Sequence, residues 1–405
     1  MTEVSKKILA ELNNRKNNMI KQLCEFCAIS SGSENLAGLA IMRETLCTAF
    51  NSLADHLEVH KFSPLTTINM AGNEVTIEQG PTLFISKRPK LSRRILLCGH
   101  MDTVYNDNNF PTVRLNEKQI KGPGVADMKG GLVVILQALR VFEEYAISKN
   151  LGWDIFINAD EELGSPASSE LLKKIAANYQ AALVFEPALT VDGRFARKRC
   201  GSGKLTIIAS GRTAHVGRAF DTGRNAICHL AKAIIAIDAL NKQHNGIVIN
   251  IGKIAGGTAL NIVPEQAVAK LDVRIAHPQD EEWLWEQLRK ITLKMQHDDY
   301  ALKIYGNFSR QVKDVSPATA RLFTIIQKLG QELNYPISWA DSGGCCDGNN
   351  LANLNVPVID TLGVRGGNLH SSAEFIELDS LVERAALTSL LLLNLAGGGL
   401  EELKR

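Results

Sequence analysis

The sequence has no long apolar run, no surplus of one charge, no cysteine framework and no repeat, and each absence removes a class of function. Its most apolar stretch near the C-terminus, residues 390–396, is interrupted by Asn394 and falls short of the roughly 20 residues that span a bilayer. The opening stretch MTEVSKKILAELNNRKNNMIKQL has helical spacing but is charged throughout, so it lacks the apolar segment of a secretory signal. Lysine and arginine total 45 against 43 aspartate and glutamate, and this net charge of +2 offers nucleic acid no electrostatic footprint. The expectation is a cytoplasmic protein with neither a membrane nor a nucleic-acid partner. Its eight cysteines are scattered as reduced thiols would be. Cys24 and Cys27 form a CxxC, but no second pair follows at zinc-ribbon spacing, and they read as apolar positions on a helix. Three catalytic signatures are also missing. Lys198 stands where a phosphate loop ending in GSGKLT would need its first glycine, and neither a GxSxG elbow nor a HExxH helix occurs.

What is present is a packed chain of 405 residues, 45% hydrophobic and 22% charged, long enough for two cores. Residues 5–53 show the three- and four-residue spacing of two helices, broken at Ser30 to Ser33. Short apolar strands are expected at 82–87, 94–99, 153–160 and 181–186, with helices at 130–145 and 167–178 between them. That alternation is the pattern of an α/β domain with a mainly parallel sheet covered on both faces. From about Cys200 the pattern changes to strands at 204–210, 246–257 and 267–276 with helices at 223–241 and 279–296, as in a smaller α+β sheet. A helix at 316–333, a strand at 356–362 and a helix from Ser380 to about Leu395 return to the first pattern.

Hydrolysis of an unactivated amide needs an electrophile for the carbonyl, a nucleophile at neutral pH and a proton carrier, and bound metal supplies the first two. Candidate ligands fall at the ends of the expected strands, where open α/β sheets gather their binding loops. They are His100 and Asp102 after RILLCG, Asp127 in GPGVADMKGG, Glu161 and Glu162 after FINAD, Glu186 after ALVF, and His370 in GGNLHSSAEF. Singly, each has an ordinary explanation: a hydrogen-bonded histidine, a helix cap at Asp127, solvated charges at Glu161 and Glu162, a strand end at Glu186. Five loops of such residues converging on one sheet edge favour a metal.

The series HMDTVY, GPGVADMKGG, ADEELGS, FEP, GRTAHVG, NIVP, DVR and LGVRGGNLHSSAEF resembles, in order, the motifs of the M20 metallopeptidase family, within it the glutamate carboxypeptidase (carboxypeptidase G2-like) branch. The resemblance implies two zinc ions, with cobalt or manganese as substitutes, bridged by Asp127. His100 and Glu186 complete one site, Glu162 and His370 the other. It implies Glu161 as general base and Asp102 as the group that orients His100. It also implies a homodimer in which His215, from a ferredoxin-like dimerisation domain, reaches the partner's site to stabilise the oxyanion. Asn261, Arg310 and Gly344 with its neighbour Gly343 are implied to hold substrate, Arg310 through its bidentate fork. Arg-Gln at Arg310 departs from the family's usual Arg-Pro. Cys345 and Cys346 replace small hydroxyl residues, and buried packing is expected of them. The domains expected are 1–198 and 313–405, catalytic, with 199–312 inserted. The reaction expected is release of an amino acid from a small peptide or N-acyl amino acid. The alternatives are an N-acyl-amino-acid deacylase of the acetylornithine or succinyl-diaminopimelate type and, outside enzymes, an inactive metal- or peptide-binding homologue.

Overall fold

Two side-chain caps open the chain's first helices. The Thr2 hydroxyl accepts from the Ser5 N–H and Asn35 Oδ1 accepts from the Gly38 N–H, each pairing a donor that helix geometry leaves free. The computed structural model describes residues 1–107, 110–297 and 299–404. In α1 (Glu3–Cys27) the buried Ile8, Leu12, Met19, Leu23 and Phe26 share one face, and α2 (Leu36–Phe50) follows the serine-rich break. Cys27 is buried and Cys24 half-buried on α1, which fits their reading as apolar helix positions.

The main sheet is built from β1 (His56–His60), β2 (Thr82–Lys87), β3 (Arg94–His100), β4 (Gly152–Asn158), β5 (Ala181–Val184) and β10 (Val358–Ile359), in the order β1-β2-β4-β3-β5-β10. β4, β3, β5 and β10 run parallel, while β2 is antiparallel to both its neighbours, so the sheet is mixed. Every residue of β3 and β4 is buried, as strands covered on both faces must be. On one face lie α3 (Gly130–Glu143), α1 and α8 (Asp379–Asn394); on the other lies α4 (Ser168–Ala176). Among the described residues, α8 belongs to the one stretch long and apolar enough to cross a membrane, residues 379–402, but its apolar side chains pack on α1 and α3.

The second sheet comprises β6 (Gly201–Ser210), β7 (Ile247–Gly256), β8 (Gln266–Ile275) and β9 (Ala301–Arg310), all antiparallel, in the order β7-β8-β6-β9. With α5 (Ala226–Asp238) and α6 (Pro278–Met295) the chain order is βαββαβ, the ferredoxin-like arrangement. Its core, including Ile207, Leu230, Leu271 and Leu284, is a cluster of its own. Strands β1 and β9 were not expected from the sequence, since their alternation spans only Leu57 and Val59 in one and Leu302 and Ile304 in the other. β1 is largely exposed, and β9 is interrupted by Gly306 at φ 109° and by a bulge opposite Ser202 and Gly203. The strand expected over 356–362 pairs only at Val358 and Ile359, because Thr361 turns the chain with φ 65°.

The chain crosses between the two sheets twice, and the crossings pair with each other: Arg199 N–H donates to Lys313 O (3.1 Å) and Lys313 N–H to Arg199 O (3.0 Å). Both side chains then turn inward onto Asp360, at the end of β10. Arg199 forms a fork with 3.0 Å to each oxygen, and Lys313 Nζ lies 3.0 Å from Oδ2. All three residues are buried, and the two cations outweigh burial to hold the Asp360 carboxyl below its usual range. Asp360→Ala is therefore expected to cost about 3–5 kcal/mol of unfolding free energy, since it strands two buried cations. Urea unfolding followed by far-UV dichroism checks this, and a loss under about 1 kcal/mol would contradict it.

Candidate metal centre

Three adjacent parallel strands deliver ligands to one edge of the main sheet. β3 ends on His100, β4 is followed by Asp160, Glu161 and Glu162, and β5 by Glu186. Asp127 arrives from the turn before α3, where Gly124 adopts φ 71° and the peptide bond after Asp127 is cis. His370 arrives from the loop before residues 375–377, with φ 60°.

Asp127 sends one oxygen to each side. Its Oδ1 lies 3.1 Å from His100 Nε2, which is also 3.8 Å from Glu186 Oε1; its Oδ2 lies 3.3 Å from His370 Nε2, which is 3.3 Å from Glu162 Oε2. The five expected ligands thus meet as two groups that share one carboxylate. Glu161 also comes close, since one of its oxygens, one of Glu186 and a nitrogen of His100 lie within 4.8 Å of one another. Glu162 Oε1 is buried and has no hydrogen-bond partner among the described residues. Such an orphaned oxygen within a set of carboxylates and imidazoles suits a divalent cation that takes mixed oxygen and nitrogen donors.

Electrostatics point the same way. Burial opposes charge on His100, but Asp102 and Asp127 outweigh it and hold the imidazole well above its ordinary value. Hydrogen bonds to Asp127 and Glu162 push His370 up to about 11. Burial together with the Asp127 charge pushes Glu186 up to about 8 and raises Glu162. Asp127 itself resists burial through its two imidazoles and stays below the carboxylate range. Raised values mean that at pH 7 the metal-free cluster holds protons on His370, on His100 and on most of Glu186, all of which coordination must remove. Zinc binding at pH 7 is therefore expected to release protons and to weaken as pH falls. Titration calorimetry in two buffers of different ionisation enthalpy reads this directly; identical heats in both would refute it.

The remaining expected residues are placed less simply. The main-chain oxygen of Asp102, at 2.9 Å, is nearer to His100 Nδ1 than its carboxylate Oδ1 at 3.3 Å. Once coordination has removed the second imidazole proton, either partner keeps the remaining one on Nδ1 and leaves the Nε2 lone pair for a metal. The Asp102 carboxylate also accepts the Ser33 hydroxyl (2.7 Å) and the N–H groups of Glu162 (3.1 Å) and Glu161 (3.3 Å), so it holds the ligand loop as well. Arg310, only 4% exposed, donates through Nη2 to Glu161 Oε1 (2.6 Å), to Glu161 O (2.8 Å) and to the Ser165 hydroxyl (3.1 Å). Its fork is engaged with the presumed base rather than left open. Gly343 and Gly344 are exposed, and the Gly344 oxygen accepts weakly from Arg199 at 3.4 Å. His215 and Asn261 lie together on the small sheet's side, both exposed: His215 pairs with Ile262, and the Asn261 oxygen accepts from Val216 N–H. Among the described residues neither has a hydrogen bond or ion pair to the metal cluster.

Two residues escaped the sequence reading. Glu374 is fully buried beneath Asp127 and accepts from the N–H groups of Ala126 (2.9 Å), Asp127 (3.0 Å) and Gly124 (3.3 Å) and from the Tyr105 hydroxyl (3.1 Å). It fixes the turn that presents the shared carboxylate. Arg274 on β8 reaches across to Cys345 Sγ. Glu374 lies inside the HSSAEF motif, but one acid among serines reads as solvated until its burial is seen. Packing, the role expected of both vicinal cysteines, fits buried Cys346 and not Cys345, which is half-buried between arginines.

Comparison with known proteins supplies the context. Residues 96–394 match the model of peptidase family M20/M25/M40. The chain is 25% identical over 384 residues to carboxypeptidase G2 from Pseudomonas sp. (strain RS-16), covering 94% of this chain and 90% of that protein. It is 27% identical over 237 residues to a succinyl-diaminopimelate desuccinylase from Corynebacterium glutamicum, covering 56% of this chain and 62% of that one. Among solved structures, the M20 family metallo-carboxypeptidase Sso-CP2 from Sulfolobus solfataricus has the same fold, with a TM-score of 0.73 at 16% identity over 93% of this chain and 99% of that chain.

Proposed function

This chain belongs to peptidase family M20/M25/M40 and is a metallohydrolase of peptide or amide bonds, and from that premise we propose that it is a dinuclear, zinc-dependent carboxypeptidase releasing a C-terminal amino acid, glutamate foremost, from a small peptide or N-acyl substrate. The observation that carries the dinuclear reading is Asp127, whose two oxygens face two separate imidazole–carboxylate pairs. His100 and Glu186 would hold one cation, Glu162 and His370 the other. A bound cation pair supplies Lewis acidity and a water acidified to near neutrality.

The chain's own residues supply the proton traffic. Glu161 lies outside the four ligand contacts, and burial raises its carboxyl well above the ordinary value even against the opposing charge of Arg310. A carboxylate of raised basicity is suited to take a proton at Oε and return it to the leaving nitrogen. Arg310 holds that carboxylate in place, and a substrate carboxylate would share the same guanidinium. Residues 1–198 and 313–405 would form the catalytic domain and 199–312 the dimerisation domain. In that dimer His215 and Asn261, exposed and remote from the cluster by hydrogen bonding in their own chain, would serve the partner's site.

The test is metal analysis of the purified protein together with hydrolysis of a panel of peptidyl and N-acyl amino acids ending in Glu, Asp, Ala, Arg or ornithine, with and without chelator. Two metals per chain and chelator-sensitive release of glutamate support the proposal. A preference for N-succinyl or N-acetyl substrates would instead select the deacylase reading, which the desuccinylase relative favours. Absence of bound metal would sink both.

A further inference from the structure

Cys345 occupies a place unlike that of the other cysteines. Arg274 Nη1 lies 2.7 Å from its Sγ and Arg310 Nη1 3.6 Å, so one sulfur faces two guanidinium groups from β8 and β9, the strands on either side of β6. We propose that Cys345 is a modification site: a reactive thiol that forms a mixed disulfide with anionic low-mass disulfides, and so switches the adjacent hydrolytic site off. The switching half rests on the proposed carboxypeptidase reading; the thiol assignment does not.

Three observations carry it. First, the two arginines stabilise the thiolate, the form that attacks disulfides, and they outweigh burial to bring this thiol below its ordinary value. Burial instead raises Cys24, Cys27, Cys47, Cys98, Cys200 and Cys346. Second, cationic groups gather at the sulfur, although Arg274 also pairs with Asp272 (2.8 Å) and Arg310 with Glu161 (2.6 Å). Arg310 is buried, its Nε has no acceptor among the described residues, and Lys204 stands nearby, its basicity lowered by burial and further by the Arg310 charge. A modifier carrying carboxylates meets complementary charge there. Third, the consequence is local. Arg310 touches Cys345 with Nη1 and Glu161 with Nη2, so a group attached at Sγ displaces the guanidinium that positions the presumed base.

The chemistry balances as thiol–disulfide exchange. Cys345 Sγ gives its proton to solvent and attacks one sulfur of R–S–S–R; the new Sγ–S bond forms, the old S–S bond breaks, and the second half leaves as a thiolate with the electron pair. Cys346 is no resolving partner, because it points into the core, accepts the Gly348 N–H at 3.3 Å and has its thiol raised by burial. The mixed disulfide therefore persists until excess thiol reverses it.

The experiment uses the full chain carrying Cys228→Ser, which removes the one exposed thiol among the described cysteines. Dithiobis(nitrobenzoate) at pH 6 should release the coloured thiolate in one fast phase per chain, with the adduct mapped to Cys345 by peptide mass and lost in Cys345→Ser. The cationic disulfide cystamine should react on the order of tenfold more slowly, and Arg274→Gln should slow the anionic reagent by on the order of tenfold. A fast phase mapping to another cysteine, or a faster reaction with cystamine, overturns the assignment, and neither comparison depends on the arginine variant folding. Hydrolytic activity should fall in step with labelling and return with dithiothreitol; full labelling with undiminished activity overturns the switch. Rapid labelling of Cys345 in a protein that hydrolyses nothing on the panel supports the thiol assignment and sinks only the carboxypeptidase reading.

Discussion

Asp127→Ala is expected to empty both halves of the metal centre at once, taking bound zinc from near two per chain to near none and turnover to background. Losing an outer-sphere partner of a metal ligand typically weakens binding about 10- to 100-fold, and Asp127 is placed to be a ligand of both cations rather than a partner of one. Its two oxygens face His100 and His370 at 3.1 and 3.3 Å, so no other carboxylate can substitute on both sides. The variant should still fold. The Asp127 N–H remains paired with Glu374, and the residues beneath the turn, Val125, Ala126 and Met128, are untouched core. Removing the side chain also relieves the repulsion that raises Glu162 and Glu186. Metal-free wild type and metal-free variant are therefore expected to unfold within about 1–2 kcal/mol of each other. Plasma mass spectrometry of dialysed protein decides the matter. Retention of one zinc would show that Asp127 serves a single site, and His370→Ala, expected to lose one metal only, provides the internal comparison.

Much of this centre was legible because of where its residues stand in the chain. His100, Glu161, Glu162 and Glu186 follow short apolar runs that announce buried strands, and parallel strands of one sheet carry such residues to a common edge. Asp127 and His370 come from loops, and their meeting with His100 and Glu162 follows from tertiary placement that no local pattern encodes; the motif series carried them. The geometry of the arginine was not legible at all. Arg310 ends a strand, β9, whose alternation at Leu302 and Ile304 stops at Gly306, and its Nη2 reaches Glu161 across 149 positions of sequence. Glu374 was hidden for the opposite reason, since a buried acid needs donors and its donors are main-chain N–H groups of a distant turn. The ferredoxin-like sheet shows the same division: β6, β7 and β8 were readable from apolar runs, while the strand with Gly306 and a bulge was not.

Glu161 is the residue whose role geometry alone leaves with two candidates, and Glu161→Gln separates them. One of its oxygens lies with His100 and Glu186 in a group compact enough to hold a cation, which is a ligand's position; Oε1 also takes the Arg310 Nη2 at 2.6 Å, which suits a base held ready beside the metals. Glutamine keeps the volume and a carbonyl oxygen for Arg310 but cannot accept and return a proton. Alanine is the poorer probe, because it would leave a buried guanidinium with its main countercharge gone, at about 3–5 kcal/mol, and confuse lost chemistry with lost fold. If Glu161 is the base, Glu161→Gln should lower kcat by about 100- to 10,000-fold with little change in KM, and metal content should stay near two per chain. If it is a ligand, zinc and activity should fall together, and added zinc should restore part of both. The outcome also reads the environment of the base. Burial raises Glu161 against the pull of Arg310, and bound cations act in the opposite direction, so the wild-type kcat/KM profile should carry an acid limb for loss of the Glu161 proton, and that limb should vanish in the residual activity of the glutamine variant. Metal retained, turnover lost and the limb gone would together place the proton on Glu161; a limb that survives the substitution would move it to another group.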